Sequence, residues 1–208
     1  MKPSNTRNAL PPWLLLLLPL LVSCGSSTPA LPKLANDAVI LAFGDSLTRG
    51  TGAPDGEDYP AVLRQLTGRT VVNQGIPGEV SADGRARLPR VLDEVAPQLL
   101  ILCHGGNDLL RKLPPAETAA NLRAMIEEAR GRGIPVVLIG VPKPGILLNS
   151  AEFYAPLAEE YQLPFDGKVL AKIIGDRALK SDAVHPNAAG YRKLAEAIQR
   201  LLHDAGAL

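Results

Sequence analysis

The chain has 208 residues, of which 46% are hydrophobic and 21% carry a charge. The 22 lysines and arginines nearly balance the 21 aspartates and glutamates, so the protein lacks the basic field with which nucleic-acid-binding proteins gather their ligand. This length predicts a single domain with a substantial core, and we expect no nucleic acid among its partners.

The first 24 residues have the pattern of an export signal. Lys2 and Arg7 precede a leucine-rich run that Pro19 interrupts, and this run is shorter than the roughly 20 residues that a membrane span needs. The run ends on Leu21-Val22-Ser23-Cys24, which resembles the lipobox of bacterial lipoproteins. The resemblance implies that residues 1–23 are a lipoprotein signal peptide and that lipidated Cys24 attaches the protein to a membrane.

Such an anchor would place the protein in the cell envelope, facing the periplasm. The residue after the cysteine is not aspartate, which favours the outer membrane over the inner one. An ordinary signal peptide with an incidental cysteine is the alternative, and it would give a secreted or periplasmic protein without a lipid.

Residues 24–37 are rich in serine, proline and glycine and predict a flexible tether, so the folded domain is predicted over residues 38–208. Cys103 is the only cysteine after Cys24, which leaves no disulfide within the mature domain unless the lipid-attachment residue takes part. The simplest interpretation of Cys103 is a small buried side chain, and a catalytic thiol is a distant second.

Apolar runs of strand length alternate with segments of helical period along the domain. The runs predict strands over residues 39–43, 70–73, 99–103, 135–140 and 163–166. Helices are predicted over residues 59–66, 86–95, 116–130, 151–161 and 169–174, and a last helix follows Pro186 with Asn187 as its cap. Because the runs are continuously apolar, we expect a parallel sheet with helices on both faces, which is an α/β fold.

The first predicted strand runs directly into Gly44-Asp45-Ser46. Ligands of open α/β sheets bind beyond the carboxyl ends of the strands, and Ser46 lies at such an end. One interpretation is that Asp45 or Ser46 only caps the next helix. The other is that Ser46 is a nucleophile, which requires a base, an acid that orients the base, and donors for an oxyanion.

Three later segments could supply those groups. Asp182 and His185 stand three residues apart, so the carboxylate could hold the imidazole Nδ1-H and leave Nε2 free to take the proton of Ser46. The side-chain amide of Asn107, in a Gly-Gly-Asn-Asp segment, and a backbone amide at Gly78 could donate to an oxyanion. Each segment alone is also explained by a helix cap, a turn or a surface histidine.

Four blocks together resemble the SGNH hydrolases, also called GDSL esterases/lipases. They are Gly44-Asp45-Ser46-Leu47, the Gly78 loop, the Gly-Gly-Asn-Asp segment at residues 105–108 and Asp182-Ala183-Val184-His185, in the family's order and with its spacing over residues 38 to about 203. Within that superfamily the chain looks most like the bacterial periplasmic acyl-CoA thioesterase/lysophospholipase/arylesterase group.

The resemblance implies a flavodoxin-like three-layer α/β/α sandwich with a five-stranded parallel sheet, and no metal or other cofactor. It also implies that Ser46 is the nucleophile, His185 the base and Asp182 its partner. The N–H groups of Ser46 and Gly78 and the amide of Asn107 would form the oxyanion hole. The expected substrate is a small-molecule or lipid acyl ester or thioester.

Two other functions remain open at this stage. The same residues serve O-acetyl esterases of cell-wall and other polysaccharides, although four tyrosines and one tryptophan supply few aromatic surfaces for sugars. A lipid-anchored binding protein without chemistry is the third interpretation. His104 is interpreted as structural, because the sequence shows no obvious carboxylate partner for it.

Overall fold

The computed structural model describes residue 1, residues 28–145 and residues 148–208. Five parallel strands form one sheet in the order β2-β1-β3-β4-β5. The strands are β1 (Val39–Gly44), β2 (Thr70–Gly75), β3 (Leu99–Cys103), β4 (Val136–Ile139) and β5 (Phe165–Asp166). The predicted α/β fold with a five-stranded parallel sheet is confirmed.

Eight α-helices accompany the sheet in the part of the chain that is described. They are α1 (Ser46–Arg49), α2 (Tyr59–Thr67), α3 (Ser81–Val95), α4 (Gly106–Leu110), α5 (Pro115–Gly131), α6 (Tyr154–Glu160), α7 (Val169–Gly175) and α8 (Ala188–Asp204). Helix α2 packs beside α8, and α3 packs beside α5. The connection from β1 to β2 runs toward one edge of the sheet, and the later connections run toward the other edge. Right-handed crossovers therefore place the α2/α8 pair and the α3/α5 pair on opposite faces.

The hydrophobic core lies in the central strands. Every residue of β3 and β4 is buried, as are five of the six residues of β1. Burial on both faces explains why these segments are apolar without alternation. The reversal of strand order lies between β1 and β3, and their carboxyl ends therefore mark the position where such folds bind ligands.

Helix α3 begins at Ser81, five residues before the predicted start at residue 86. Its first turn lacks a hydrophobic face because Gly84 packs against the ring of His104, where a Cβ atom would lie 2.4 Å from Nε2. The carboxylate of Asp108 receives the Ser81 N–H at 2.8 Å, so the cap comes from a distant residue. Neither feature is visible in the local sequence of the helix.

Part of the segment that we expected to be a flexible tether, residues 24–37, packs against the domain. The Leu31 N–H donates to the Ala205 carbonyl at 2.8 Å, and the Leu34 N–H donates to the Ala207 carbonyl at 2.9 Å. The Leu34 side chain is buried in the main core. Apolar contact and these two hydrogen bonds hold the segment from Leu31 onward against the end of the chain.

The predicted signal peptide, apart from residue 1, and the predicted lipidation residue Cys24 lie outside the described residues. Among the helices that are described, none is both long and apolar enough to cross a bilayer.

Candidate active site

The turn after β1 presents Ser46 at the carboxyl edge of the sheet. Gly44 lets β1 approach β3 closely, because a Cβ atom there would lie 1.9 Å from the carbonyl oxygen of Cys103. Asp45 is buried and caps α1, and its carboxylate accepts from the Leu47 N–H at 3.0 Å and from the Gly106 N–H at 3.2 Å. Burial raises the pKa of Asp45 above its ordinary value. Asp45 therefore takes the capping role and leaves the Ser46 hydroxyl free.

Ser46, His185 and Asp182 form a continuous chain of hydrogen bonds. The Ser46 Oγ lies 2.9 Å from His185 Nε2, and His185 Nδ1 lies 2.8 Å from Asp182 Oδ2. Since an ionised carboxylate can only accept, Nδ1 carries the proton and Nε2 is left to accept from the serine hydroxyl. The structure thus brings together two residues that are 139 positions apart in the sequence.

Backbone donors hold Asp182 in place. Its Oδ1 accepts from the N–H groups of Val184 and His185, both at 2.8 Å. Partial burial alone would raise the pKa of Asp182, but the hydrogen bonds from the His185 ring and the two N–H groups outweigh it and hold that pKa below its ordinary value. Asp182 is therefore an anion at neutral pH although half of its side chain is exposed.

The loop after β2 places the Gly78 N–H beside this site. Glu79 N donates to the Ile76 carbonyl at 3.2 Å, which closes a turn in which Gly78 has φ +80. Such a positive φ favours glycine, and proline at the preceding position suits the same turn. Within the described residues, neither the Ser46 N–H nor the Gly78 N–H donates to another protein group.

Asn107 reaches the same loop from α4. Its Nδ2 donates to the Glu79 carbonyl at 2.9 Å. The amide has two N–H groups, so one fixes the side chain to the loop and the second remains for a ligand.

A cluster of buried ionisable side chains lies beneath the turn, and sequence analysis did not find it. His104 Nε2 lies 3.0 Å from Glu79 Oε2, so the expectation that His104 has no carboxylate partner is wrong. Arg87 donates to the same carboxylate from Nε at 2.6 Å and from Nη2 at 2.8 Å. Arg87 stands on the stripe of α3 that also buries Gly84 and Val91, and a cation on a buried stripe is the signal that could have revealed the cluster.

Cys103 does not contribute to the site as a thiolate. Its side chain is buried at the end of β3, and burial raises the pKa of the thiol well above its ordinary value. A thiol that stays protonated and inaccessible is a poor nucleophile, which supports the structural interpretation of Cys103.

A cavity of about 310 Å³ opens beside the Ser46 hydroxyl. The polar side chains of the described wall are Asp45, Ser46, Asn107, Lys143, Lys180 and His185. The rest of the described wall is mostly apolar, and it includes Leu110, Val141, Leu148, Leu170, Ile174 and Val184. A mostly apolar cavity with a few polar groups suits a ligand with a hydrocarbon chain and a polar reacting group.

Comparison with known proteins agrees with this geometry. Residues 42–193 match the model of the GDSL-like lipase/acylhydrolase family. Esterase TesA of Pseudomonas aeruginosa is 32% identical over 170 residues, which cover 76% of this chain and 84% of TesA. Thioesterase 1/protease 1/lysophospholipase L1 of Escherichia coli K12 is 30% identical over 156 residues, 71% of this chain and 75% of that protein. The crystal structure of AlinE4, an SGNH-hydrolase family esterase, is 36% identical with a TM-score of 0.65 and covers 83% of this chain and 98% of its own.

Proposed function

Because the chain belongs to the GDSL-like lipase/acylhydrolase family and is an ester-bond hydrolase of that family, we propose that it hydrolyses carboxylic esters or thioesters through an acyl-enzyme on Ser46. The observation that carries this proposal is the hydrogen-bonded chain from Ser46 through His185 to Asp182 beside a mostly apolar cavity.

In the first half of the reaction, the Ser46 Oγ attacks the carbonyl carbon of the substrate while His185 Nε2 takes the serine proton. Asp182 stabilises the positive charge that develops on the ring. The carbonyl oxygen becomes an oxyanion and accepts hydrogen bonds from the N–H groups of Ser46 and Gly78 and from the second N–H of Asn107. His185 then protonates the leaving alcohol or thiol, and the acyl group remains on Ser46.

In the second half, a water molecule occupies the position of the leaving group. His185 removes a proton from this water, which attacks the acyl carbon and forms a second oxyanion in the same hole. Collapse of that intermediate returns the proton from His185 to Ser46 and releases the carboxylic acid. The chain's own residues supply every proton transfer of this mechanism.

The cavity supports an acyl chain of medium length. A cavity of about 310 Å³ with a mostly apolar wall offers contacts to several methylene groups of an acyl chain. Each methylene that enters contributes about 0.8 kcal/mol, or about fourfold in kcat/KM. We therefore expect specificity to rise from acetyl to about octanoyl esters and to stop rising beyond that length.

We also propose that the protein acts in the cell envelope, held to a membrane by lipid on Cys24. The lipobox-like Leu21-Val22-Ser23-Cys24 sequence supports this proposal, and two acyl chains on the cysteine would make the attachment durable. Globomycin, which inhibits lipoprotein signal peptidase, should cause the larger precursor to accumulate in bacterial cells that produce the full chain. A protein that is processed normally in its presence, or that Cys24→Ala leaves membrane-bound, would contradict the anchor.

The test of the catalytic proposal is hydrolysis of p-nitrophenyl acetate, butyrate, octanoate and palmitate and of palmitoyl-CoA. Ser46→Ala should abolish turnover, while Ser150→Ala, a serine outside the cavity wall, should leave the rates unchanged. A fluorophosphonate should attach one phosphonyl group to each wild-type chain, seen as a mass increase, and none to Ser46→Ala. Turnover that survives in Ser46→Ala would refute the role of this serine.

The chain-length profile separates the other functions. Activity confined to the acetyl ester would favour an O-acetyl esterase, and acetylated xylan or peptidoglycan would then be the next substrates. A wild type that neither hydrolyses any of the esters nor reacts with the fluorophosphonate would point to a binding protein.

A further inference from the structure

The three groups expected to form the oxyanion hole stand on three separate segments, each of which follows a strand. The Ser46 N–H follows β1, the Gly78 N–H follows β2, and the Asn107 amide follows β3. Three donors stabilise one oxygen only if all of them keep their distances to it, since electrostatic stabilisation of this kind depends on preorganisation. Contacts within the fold must therefore fix the positions of these three segments relative to one another.

Arg87 ties the ends of the first two strands together. Its Nη2 donates to the Gln74 carbonyl at 2.8 Å and lies 3.3 Å from the Gly44 carbonyl, which belong to β2 and β1. The guanidinium also stacks on Phe43 of β1, with its central carbon 3.9 Å from the ring centroid. A planar guanidinium with several fixed donors is suited to this bridging role, which a lysine ammonium cannot reproduce.

Glu79 connects this bridge to the third strand. Its carboxylate accepts from Arg87 on one side and meets His104 Nε2, just after β3, on the other. His104 Nδ1 accepts from the Gly105 N–H at 2.8 Å, which assigns the tautomer with the proton on Nε2, so the ring donates to Glu79. The His104 carbonyl is also fixed, because it accepts from the Tyr154 hydroxyl at 2.6 Å.

The backbone of Glu79 connects this cluster of side chains to the oxyanion donors. Its N–H closes the turn that exposes the Gly78 N–H, and its carbonyl receives one N–H of Asn107. The side chains of Glu79 and His104 are 5% and 0% exposed, so solvent does not compete for these bonds. The position of Glu79 therefore determines where two of the three donors point.

We propose that Arg87, Glu79 and His104 are positioning residues that hold the Asn107 amide and the Gly78 N–H where the oxyanion forms. This inference rests on the proposed function, because it assumes that Ser46 generates an oxyanion. None of the three residues is part of the described wall of the cavity beside Ser46. Their loss should therefore reduce the rate of the chemical step and leave substrate binding nearly unchanged.

The test is a double-mutant cycle between Glu79→Gln and Asn107→Ala. Loss of one oxyanion donor costs about 100- to 1,000-fold in kcat, so a donor that is misplaced but present should cost about 10- to 100-fold. Glu79→Gln should produce that decrease in kcat, normalised to fluorophosphonate-titrated sites, with KM changed less than about twofold. In the Asn107→Ala background the same substitution should lower kcat by a clearly smaller factor than in the wild type, because only the Gly78 N–H is then left to be misplaced.

Glu94→Gln is the matched control, because Glu94 is an exposed glutamate of α3 that pairs with Arg90. It should change neither kcat nor KM. If Glu79→Gln does not fold, the double-mutant cycle can be made with Arg87→Lys instead. This substitution keeps the positive charge and removes the hydrogen bonds that join the ends of β1 and β2. A purely structural role would reduce the number of titratable sites and leave kcat per site unchanged. That result would overturn the inference. A loss of kcat in the double variant equal to the product of the two single-variant losses would also overturn it.

Nuclear magnetic resonance tests the same coupling without turnover. The two side-chain amide protons of Asn107, assigned by their absence in Asn107→Ala, should shift and exchange faster with water in Glu79→Gln than in Glu94→Gln. Unchanged Asn107 signals would overturn the positioning role even in a protein that showed no esterase activity. Failure of the proposed function would instead appear as equal hydrolysis by the wild type and Ser46→Ala.

Discussion

Asp108 offers a measurable test of how distant groups assemble the site. Its buried carboxylate accepts from the Ser81 N–H at 2.8 Å, from the Ser81 hydroxyl at 2.5 Å and from the Thr118 hydroxyl at 3.3 Å. It thereby caps α3 from α4 and joins the segments that follow β2 and β3. The substitution Asp108→Asn keeps the volume of the side chain but replaces one acceptor oxygen with a donor.

The cost follows from these bonds. If the new amide keeps its oxygen on the Ser81 N–H, its NH₂ group faces the Ser81 hydroxyl, which must then accept, so the charge-assisted bond is lost and the buried hydroxyl proton loses its acceptor. In the other orientation the Ser81 N–H itself loses its partner. Such a loss costs about 2 to 4 kcal/mol of unfolding free energy. For a domain of this size each kcal/mol lowers the melting temperature by about 2 to 4 °C, so the decrease should be roughly 4 to 16 °C.

Thermal unfolding followed by circular dichroism measures this decrease. Asp83→Asn is the control, because Asp83 is an exposed acid in the first turn of the same helix and makes no such contacts. It should lower the melting temperature by no more than about 2 °C, the size of a surface dipole effect. Equal melting temperatures for Asp108→Asn and the wild type would refute the idea that α3 is capped from α4. A decrease as large in Asp83→Asn would show that helix charge alone explains the effect.

Three further predictions concern the site and its supports. Asp182→Asn should lower kcat by about 100- to 10,000-fold in the ester assay with an unchanged melting temperature, because His185 loses its orienting anion while the half-exposed position tolerates the amide. Gly105→Ala should lower the melting temperature, since φ is +104 and the new Cβ would lie 2.8 Å from a buried tyrosine hydroxyl, whereas Gly131→Ala, with open space around it, should not. Hydrogen bonds hold the pKa of Glu79 below its ordinary value of 4.5 despite burial, so its contribution to stability is present at neutral pH and is lost as the pH falls through the folded pKa. Acidification from about pH 6 to about pH 3 should therefore destabilise the wild type more than Glu79→Gln in thermal unfolding, and parallel curves would contradict this reasoning.

The strands could be predicted because their burial leaves a direct mark on the sequence. A strand covered on both faces must be apolar throughout, and the runs at residues 39–43 and 99–103 differ from the observed strands by one residue at most. The start of α3 could not be predicted, since Ser81 receives its cap from Asp108, 27 residues away. Local sequence reasoning sees only caps that lie within the same turn.

The candidate site shows the same distinction between features of the local sequence and features that depend on distant residues. The spacing of Asp182 and His185 indicates a local pair, but their meeting with Ser46 depends on the whole sheet. The residues alone left that meeting as one of two interpretations, and the family resemblance favoured it. Glu79 and His104 meet across 25 positions and belong to no local pattern. Their positions beside two of the expected blocks became meaningful only when the strand ends were placed next to one another.

The junction between Leu31 and Ala205 joins the N-terminal part of the described domain to the end of α8. Helix α8 begins just after His185, and its 17 residues span about 25 Å, so it ends at the edge of the sheet opposite Ser46. Leu31, which is hydrogen-bonded to this end of α8, consequently lies at that far edge. A protein held to a surface by its N-terminal end would turn the mouth of its cavity outward, toward esters that arrive from solution rather than from the surface that holds it.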